Sequence, residues 1–316
     1  MSWFFLSIIT MLCWGTADLF YKKGTDENDP QSHLKIAVWV GLVMGICALF
    51  LLPFTESSFS LSSFLTNAVK YAPASLAYIL SMVIGYAGLR YLEVSIVSPV
   101  QNASGAFSLI AMAAFFLFTG RMGSIWEEFT VLDLAGTILI IAGVVALAIV
   151  EKKLEGTVQK TDKYRFSALA LLFPIAYCIF DTIGTAADGI ILDEEAGLGL
   201  GEIDVLVLYG LTFLVAGLAA WLYLLLKNRK AYNPFAKSER DKGIAALFEE
   251  GGQIFYVFAM ASRPLLAAPL VASYCIVSVI LSRIFIHEKL KRMQYACVFT
   301  VIAGIVLLGI AEGLAS

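Results

Sequence analysis

Charge is scarce in this sequence. Only 15% of its 316 residues are Asp, Glu, Lys or Arg, against 59% hydrophobic ones, and the mean hydropathy is +0.83. A soluble domain of this length needs more polar surface to stay in solution. Lipid is the natural solvent for such a chain, because it asks only that backbone polar groups be satisfied internally. Histidine is almost missing: His33 and His287 stand apart from any ligand-like cluster. The cysteines Cys13, Cys47, Cys178, Cys275 and Cys297 lie in apolar stretches with no C-x-x-C pair. They read as small hydrophobes that imply no disulfide frame, no metal site and no cofactor. Basic excess is missing too, and a formal net charge of -3 gives no electrostatic case for a nucleic-acid partner. The apolar N-terminus lacks a basic n-region; its first charge is Asp18, followed by Lys22 and Lys23. It is expected to be a retained first span and not a cleaved signal peptide.

What is present is a series of long apolar runs. A helix needs about 20 apolar residues to cross roughly 30 Å of hydrocarbon. Runs of that kind fall at 2–21, 34–53, 72–91, 95–119, 130–150, 166–190, 203–226, 243–262, 264–286 and 293–311. The mixed segment Ser57 to Val69 is expected to be a short interfacial helix or loop, too polar to span. Lys and Arg placement sets orientation. Loops after odd-numbered spans hold eighteen of the 22 basic residues, among them Lys22, Lys23, Lys35, Arg90, Lys227, Arg240 and Lys242. The opposite side holds Lys70, Arg121 and Arg263, and its loop after span 6 carries Asp193, Glu194, Glu195 and Glu202 without a base. The odd loops are therefore expected in the cytoplasm, with both termini outside, in a multi-pass protein of the cell (plasma) membrane.

The two halves resemble each other. Ile141-Ala142-Gly143-Val144-Val145 reads almost as Ile302-Ala303-Gly304-Ile305-Val306, an offset of 161. Pro99 and Ser108 correspond to Pro269 and Ser278 at an offset of 170, and Asp18 and Trp14 to Asp181 and Tyr177 at 163. The offsets change only across loops. Five is an odd number of crossings, so a second five-helix unit must enter from the opposite face, giving inverted repeats about an axis in the membrane plane. The expected fold is an all-α membrane protein of ten transmembrane helices, with a first repeat over 1–150, a cytoplasmic linker over 151–165 and a second repeat over 166–316.

Trp14-Gly15 followed by Lys22 and Gly24, Pro269, and the His287-Glu288 pair before span 10 resemble landmarks of the EamA-type transporters of the drug/metabolite transporter superfamily, with His287 standing where that family usually has glycine. The resemblance implies a ten-helix fold whose central cavity is formed chiefly by helices 1, 3, 4, 6, 8 and 9. It also implies cytoplasmic termini, the reverse of the charge bias.

Ionisable groups in hydrocarbon are costly, about 2.5–3.5 kcal/mol each on insertion scales, so they face a cavity or a partner. Span 8 carries Glu249, Glu250 and Gln253. The acids lie about 10–12 Å beyond Lys242 along the helix axis. Adjacent helical residues point about 100° apart, so at most one acid faces a given direction. A structural acid paired with a base is the alternative. Span 6 offers Asp181 without a local partner, and Asp188 near its outer end, where solvation is expected. Asp18 has Lys22 at i+4, a spacing that favours an intrahelical ion pair. Trp14 and Tyr177 sit one turn before Asp18 and Asp181, and aromatic faces beside carboxylates suit an organic cation or a zwitterionic amine. Pro99 and Pro269 each remove a backbone hydrogen bond and bend their helix. The polar residues after them, Gln101 and Asn102 in span 4 and Ser273 and Tyr274 in span 9, line the cavity or tie helices together.

These features point to a secondary transporter, not an enzyme, that moves a small polar metabolite by alternating access, with protons as a candidate coupling ion. Glu249 or Glu250 is the expected proton or cation site. An intramembrane enzyme is the alternative, but H-E-x-x-H is incomplete at His287-Glu288 and a G-x-S-x-G elbow is absent. A membrane sensor would need an output domain, and none is evident. The expected partners are a small-molecule substrate, protons and the bilayer, and the chain is expected to act as a monomer or homodimer.

Overall fold

The structure is a computed structural model that describes residues 1–26, 28–55, 61–92, 94–155, 170, 172–193, 195, 197–198, 200–228, 232–287 and 291–315. Among them the secondary structure is entirely helical. The helices are α1 (Trp3–Gly24), α2 (Ser32–Leu51), α3 (Leu61–Gly88), α4 (Val94–Asn102), α5 (Ser104–Thr119), α6 (Val131–Glu155), α7 (Leu172–Ile191), α8 (Glu202–Asn228), α9 (Arg240–Ser262), α10 (Pro264–Ala272), α11 (Tyr274–Leu281) and α12 (Arg292–Ala315). Nine helices of the described residues are long and apolar enough to cross a membrane, with α4–α5 and α10–α11 each counted within one span. The 20-residue α7, which carries Asp181 and Asp188, is the remaining long apolar helix. Large apolar side chains stand outward on these helices, Phe118 at 92% exposure and Phe50 at 74%. Such faces require lipid.

Two expectations need correction. The third span begins earlier than the apolar run: residues 61–69, expected at the interface, are the first turns of α3. Thr66 Oγ1 donates to the Ser62 carbonyl of its own helix at 2.9 Å, so local polarity does not prevent helix. Pro73 lies inside α3 without ending it. α6 continues to Glu155, into the residues expected as a linker; residues 156–165, like 57–60, 166–169 and Glu288, lie outside the described residues. Finally, the proline-bearing spans are interrupted and not simply bent. Each is broken four residues past its proline, at Ala103 after Pro99 and at Ser273 after Pro269, where tight i→i+3 bonds (Ala106 N to Ala103 O, 3.1 Å; Ile276 N to Ser273 O, 2.9 Å) replace the α pattern.

Packing between the first five spans and the last five dominates the core. α1 lies on α9, α3 on α7, α2 on α8, and α6 on α12; α5 meets α10, and α4 meets α11. Exchanging the first five spans for the last five maps this set of pairings onto itself. Small residues set the closest crossings. A Cβ on Gly41 would lie 2.5 Å from the Phe213 carbonyl and 2.8 Å from Gly217 Cα. At the α6–α12 crossing, a Cβ on Gly136 would lie 2.9 Å from the Gly304 carbonyl, and one on Gly143 would lie 3.1 Å from the Cys297 carbonyl. These two contacts are exchanged by the offset of 161 seen in the sequence.

Candidate functional site

A chamber lies between α1, α3, α4, α7, α8, α9 and α11. Trp14, Asp18 and Tyr21 line it from α1, Tyr78, Met82, Gly85 and Tyr86 from α3, Gln101 from α4 and Tyr177 from α7. Glu249 and Gln253 come from α9, Tyr274 from α11 and Tyr209 from α8, with Leu89 closing the end of α3. No lysine or arginine is among these lining residues. The space open to water centres is about 40 Å³. That is room for a few waters at most, so the chamber is constricted.

Asp18 is anchored by both halves. Its Oδ2 accepts from Ser98 Oγ at 2.7 Å and from Ser278 Oγ at 2.7 Å. The i+4 partner expected for it turns elsewhere: Lys22 Nζ donates to the Leu89 carbonyl at 2.7 Å and the Leu92 carbonyl at 3.0 Å. Both carbonyls belong to the short connection between α3 and α4, outside the hydrogen-bond ladder of either helix, and so they are open to the ammonium. Asp181 Oδ2 accepts from Ser104 Oγ at 2.6 Å, off the chamber wall. Ser108, which corresponds in the repeat to the Asp18 ligand Ser278, instead reaches the Thr182 carbonyl at 3.3 Å. The two aspartates are thus held one helical turn apart in register.

The span 8 acids divide as their angular separation requires. Glu249 faces the chamber, toward Tyr21 and within the fields of Asp18, Asp181 and Glu250. Glu250 turns to Cys47 on α2. Gln253 lines the chamber, 2% exposed, with its Nε2 lacking a partner. Trp14 Nε1 donates to the Glu249 carbonyl at 3.1 Å, and its ring lies 5.1 Å from Tyr256 and edge-on to Tyr274 at 5.7 Å. The indole fits because residue 252 is glycine: Trp14 occupies the place of its missing Cβ. Gly85 makes similar room, since a Cβ there would lie 2.6 Å from the Tyr177 ring and 2.9 Å from Gln101 Nε2.

The chamber therefore brings together Trp14, Asp18, Gln101, Tyr177, Glu249, Gln253 and Tyr274 of the residues singled out in the sequence. It leaves out four. Glu250 and Asp181 have the places just given; Asn102 Nδ2 bonds the Ser98 carbonyl at 2.7 Å, and Ser273 Oγ bonds the Leu270 carbonyl at 2.6 Å. The last two serve their own broken helices. Asp188, expected at a solvated end, is 0% exposed, because α3 and α9 cover that end of α7. Sequence reasoning missed Tyr21, Tyr78, Tyr86 and Tyr209. A signal for α3 existed: Tyr71, Tyr78, Met82, Gly85 and Leu89 recur at helical spacing and form one stripe.

A second polar cluster closes the end formed by loops after even-numbered spans. Arg121 Nε lies 3.1 Å from Asp193 Oδ1 and 3.4 Å from Glu195 Oε2, and Nη1 lies 3.2 Å from Glu128 Oε1. The hydrogen bond to Asp193, with the charges of Asp193, Glu128 and Glu195, holds the guanidinium above its ordinary pKa against the effect of burial. Arg263 donates to the Glu128 carbonyl beside it. A polar cavity opens there between the α5–α6 loop, the α7–α8 loop and the start of α10.

Comparison with known proteins bears on the fold and on the second half. A solved crystal structure, described only as that of a protein, aligns over 99% of this chain and 99% of its own at a TM-score of 0.61 and 14% identity, a likeness of fold alone. No curated protein matches the chain. Residues 196–310, from just before α8 through most of α12, match the EamA-like transporter family, a family of membrane transporters within the drug/metabolite transporter superfamily.

Proposed function

We propose that the protein is a secondary transporter of a small amine, amino acid or related organic cation or zwitterion, working by alternating access in the cell membrane and coupled to protons. The observation that carries this reading is the chamber wall. Asp18 and Glu249 face it among Trp14, Tyr21, Tyr86, Tyr177 and Tyr274, with no lysine or arginine lining it. Carboxylates supply the counter-charge for an ammonium group, and aromatic faces attract the same group through the ring quadrupole. Phosphorylated sugars or nucleotide sugars would need a basic wall. Gln253, whose Nε2 has no partner, is a donor available to a substrate carboxylate or carbonyl.

The two halves are proposed to be inverted repeats that rock about the chamber. Support comes from the pairings that exchange α1–α9 with α7–α3, and from Asp18 being tied at once to Ser98 of the first half and Ser278 of the second. Odd-numbered loops are placed in the cytoplasm by their basic bias, which puts both termini outside.

The test is a thermal-shift panel of cationic, zwitterionic and anionic metabolites on the purified protein, followed by flux in proteoliposomes. Amines are expected to raise the melting temperature. Glu249→Gln, which keeps side-chain size, should weaken their binding by about ten- to a hundredfold, the weight of a charged hydrogen bond of roughly 1.5–3 kcal/mol. A panel in which only anionic metabolites stabilise the protein would overturn the reading. So would amine affinity untouched by Glu249→Gln.

A further inference from the structure

Asp188 lies outside the chamber and is the least explained group in the molecule. It sits on α7 two helical turns beyond Asp181, is 0% exposed, and neither carboxylate oxygen has a hydrogen-bond partner. The hydroxyls of Tyr71 and Tyr78 on α3 turn toward it without reaching it, and the Tyr71 hydroxyl, on a residue 1% exposed, is itself unpartnered. The titratable groups that face it from the surrounding helices are Tyr71 and Tyr78 of α3, Tyr209 of α8 and Tyr256 of α9, with Asp181 on its own helix. None is a base that could neutralise a carboxylate. An ionised carboxylate in such a place has lost its water and gained no compensating bond.

From this geometry we propose that Asp188 is a proton-binding site of the carrier, separate from the substrate chamber. A proton fits better than any larger ligand. A metal cation would need about six oxygens around open space, and Asp188 lines none of the cavities described above. The step is simple in its balance: the carboxylate takes one proton from water reaching it, becomes a neutral acid, and returns the same proton when water next reaches it. No other bond forms or breaks. The link to the chamber is Tyr78, which lines the chamber and also faces Asp188. Its hydroxyl is held between Tyr256 Oη at 2.7 Å and Thr185 Oγ1 at 3.2 Å, so the protonation state of Asp188 acts directly on a partition between the two sites.

This deepens the coupling part of the proposed function and rests on it, but the site itself can be tested without any substrate. Proton release from the purified full-length protein in nanodiscs is counted with a pH indicator between mildly acidic and mildly alkaline buffer. Asp188→Asn should release about one proton fewer per protein than the parent. Tyr71→Phe should keep the count and shift the pH at which that proton leaves, which guards against a variant that merely misfolds. An unchanged count in Asp188→Asn overturns the proposal, and so does an unmoved profile in Tyr71→Phe. In parallel, proteoliposomes are loaded with radiolabelled choline and lysine under an imposed pH gradient. If the parent moves one of these probes while Asp188→Asn keeps its full proton count, the proton site fails and the transport reading stands. If the count falls by one while the parent moves neither probe, the site stands and the cation-transport reading fails.

Discussion

Arg121→Gln should unlatch the even-loop end of the molecule. Arg121 belongs to the α5–α6 loop, and its partner Asp193 follows α7, so the pair joins the first five spans to the last five. The guanidinium Nε donates to both oxygens of Asp193, at 3.1 and 3.3 Å. The Asp193 side chain is only 5% exposed, that of Arg121 23%, and that of Glu195 72%. Glu195 therefore contributes little, as exposed pairs do, and Asp193 carries the weight. A charged hydrogen bond contributes roughly 1.5–3 kcal/mol; discounting for the partial exposure of Arg121 leaves about 1–2 kcal/mol, a factor of about 5–30 in an equilibrium. Asp193 retains the Glu195 backbone N–H at 3.0 Å, which limits the cost of leaving it behind. In a background without the five native cysteines, a reporter cysteine replaces Thr185, which is buried beneath the latch. Its labelling by a membrane-impermeant maleimide from the even-loop side should quicken by that factor in Arg121→Gln, with Arg121→Lys between the two. A second reporter at Leu89, at the opposite end of the chamber, should not quicken. Equal rates at Thr185 with and without Arg121, or acceleration at both reporters, would refute the latch; the second outcome would show general loosening.

Two further predictions address stability. Gly41→Val should cost about 1–3 kcal/mol through overpacking, because backbone atoms of Phe213 and Gly217 already lie 2.5 and 2.8 Å from where its Cβ would be; an unchanged melting temperature would show that α2 and α8 separate freely. In the α1–α2 loop, burial raises the Asp29 carboxyl, but the Lys35 ammonium 2.7 Å away, the Gln31 N–H and the Lys242 charge outweigh it and hold its pKa below the ordinary value. A lowered folded value stabilises above the unfolded pKa of about 3.9 and is lost as pH falls through the folded one. Asp29→Asn should accordingly cost up to about 1 kcal/mol at neutral pH and nothing in strong acid, as read from melting temperatures across that range.

The lipid-spanning architecture was legible in the sequence because hydropathy is a sum over twenty residues and tolerates local error. Its boundaries failed where a polar residue satisfies itself: the start of α3 reads as interface, yet Thr66 finds its acceptor in the helix's own Ser62 carbonyl. Side-chain direction was legible only as a constraint. Adjacent glutamates cannot share a direction, but which one faces inward depends on α2 lying behind Glu250, a tertiary fact. The Asp18–Lys22 pair failed for a related reason, since i+4 spacing says nothing of the carbonyls freed where α3 ends. Asp188 was placed by its depth along α7, and depth alone does not reveal that α3 and α9 cap that end. The tyrosines of α3 carried a periodic signal; Tyr209 had none, being one aromatic in an apolar helix.

The chamber is off centre, and that decides where the proposed carrier must open. On α1 its lining residues are Trp14, Asp18 and Tyr21, all in the later half of the helix; on α3 they run from Tyr78 to the end; on α7 only Tyr177, in the first turns, takes part. These positions lie toward the odd-loop end, while Tyr209, in the first turns of α8, reaches the chamber from the other side. The Tyr78–Tyr256 hydroxyl pair bounds the chamber on its even-loop side, and beyond it stand Asp188 and the Arg121 cluster. Ligand sites for small metabolites usually measure about 300–1,000 Å³, while the open space is about 40 Å³, so admission of a substrate requires helices to part. At the glycine crossings of α2 with α8 and α6 with α12 backbone approaches backbone closely, so these pairs have the least room to shift and serve as the frame. The movable walls are then the α1–α9 and α3–α7 pairs. We expect them to part first at the odd-loop end, away from the latch that Arg121 and Asp193 form between the halves.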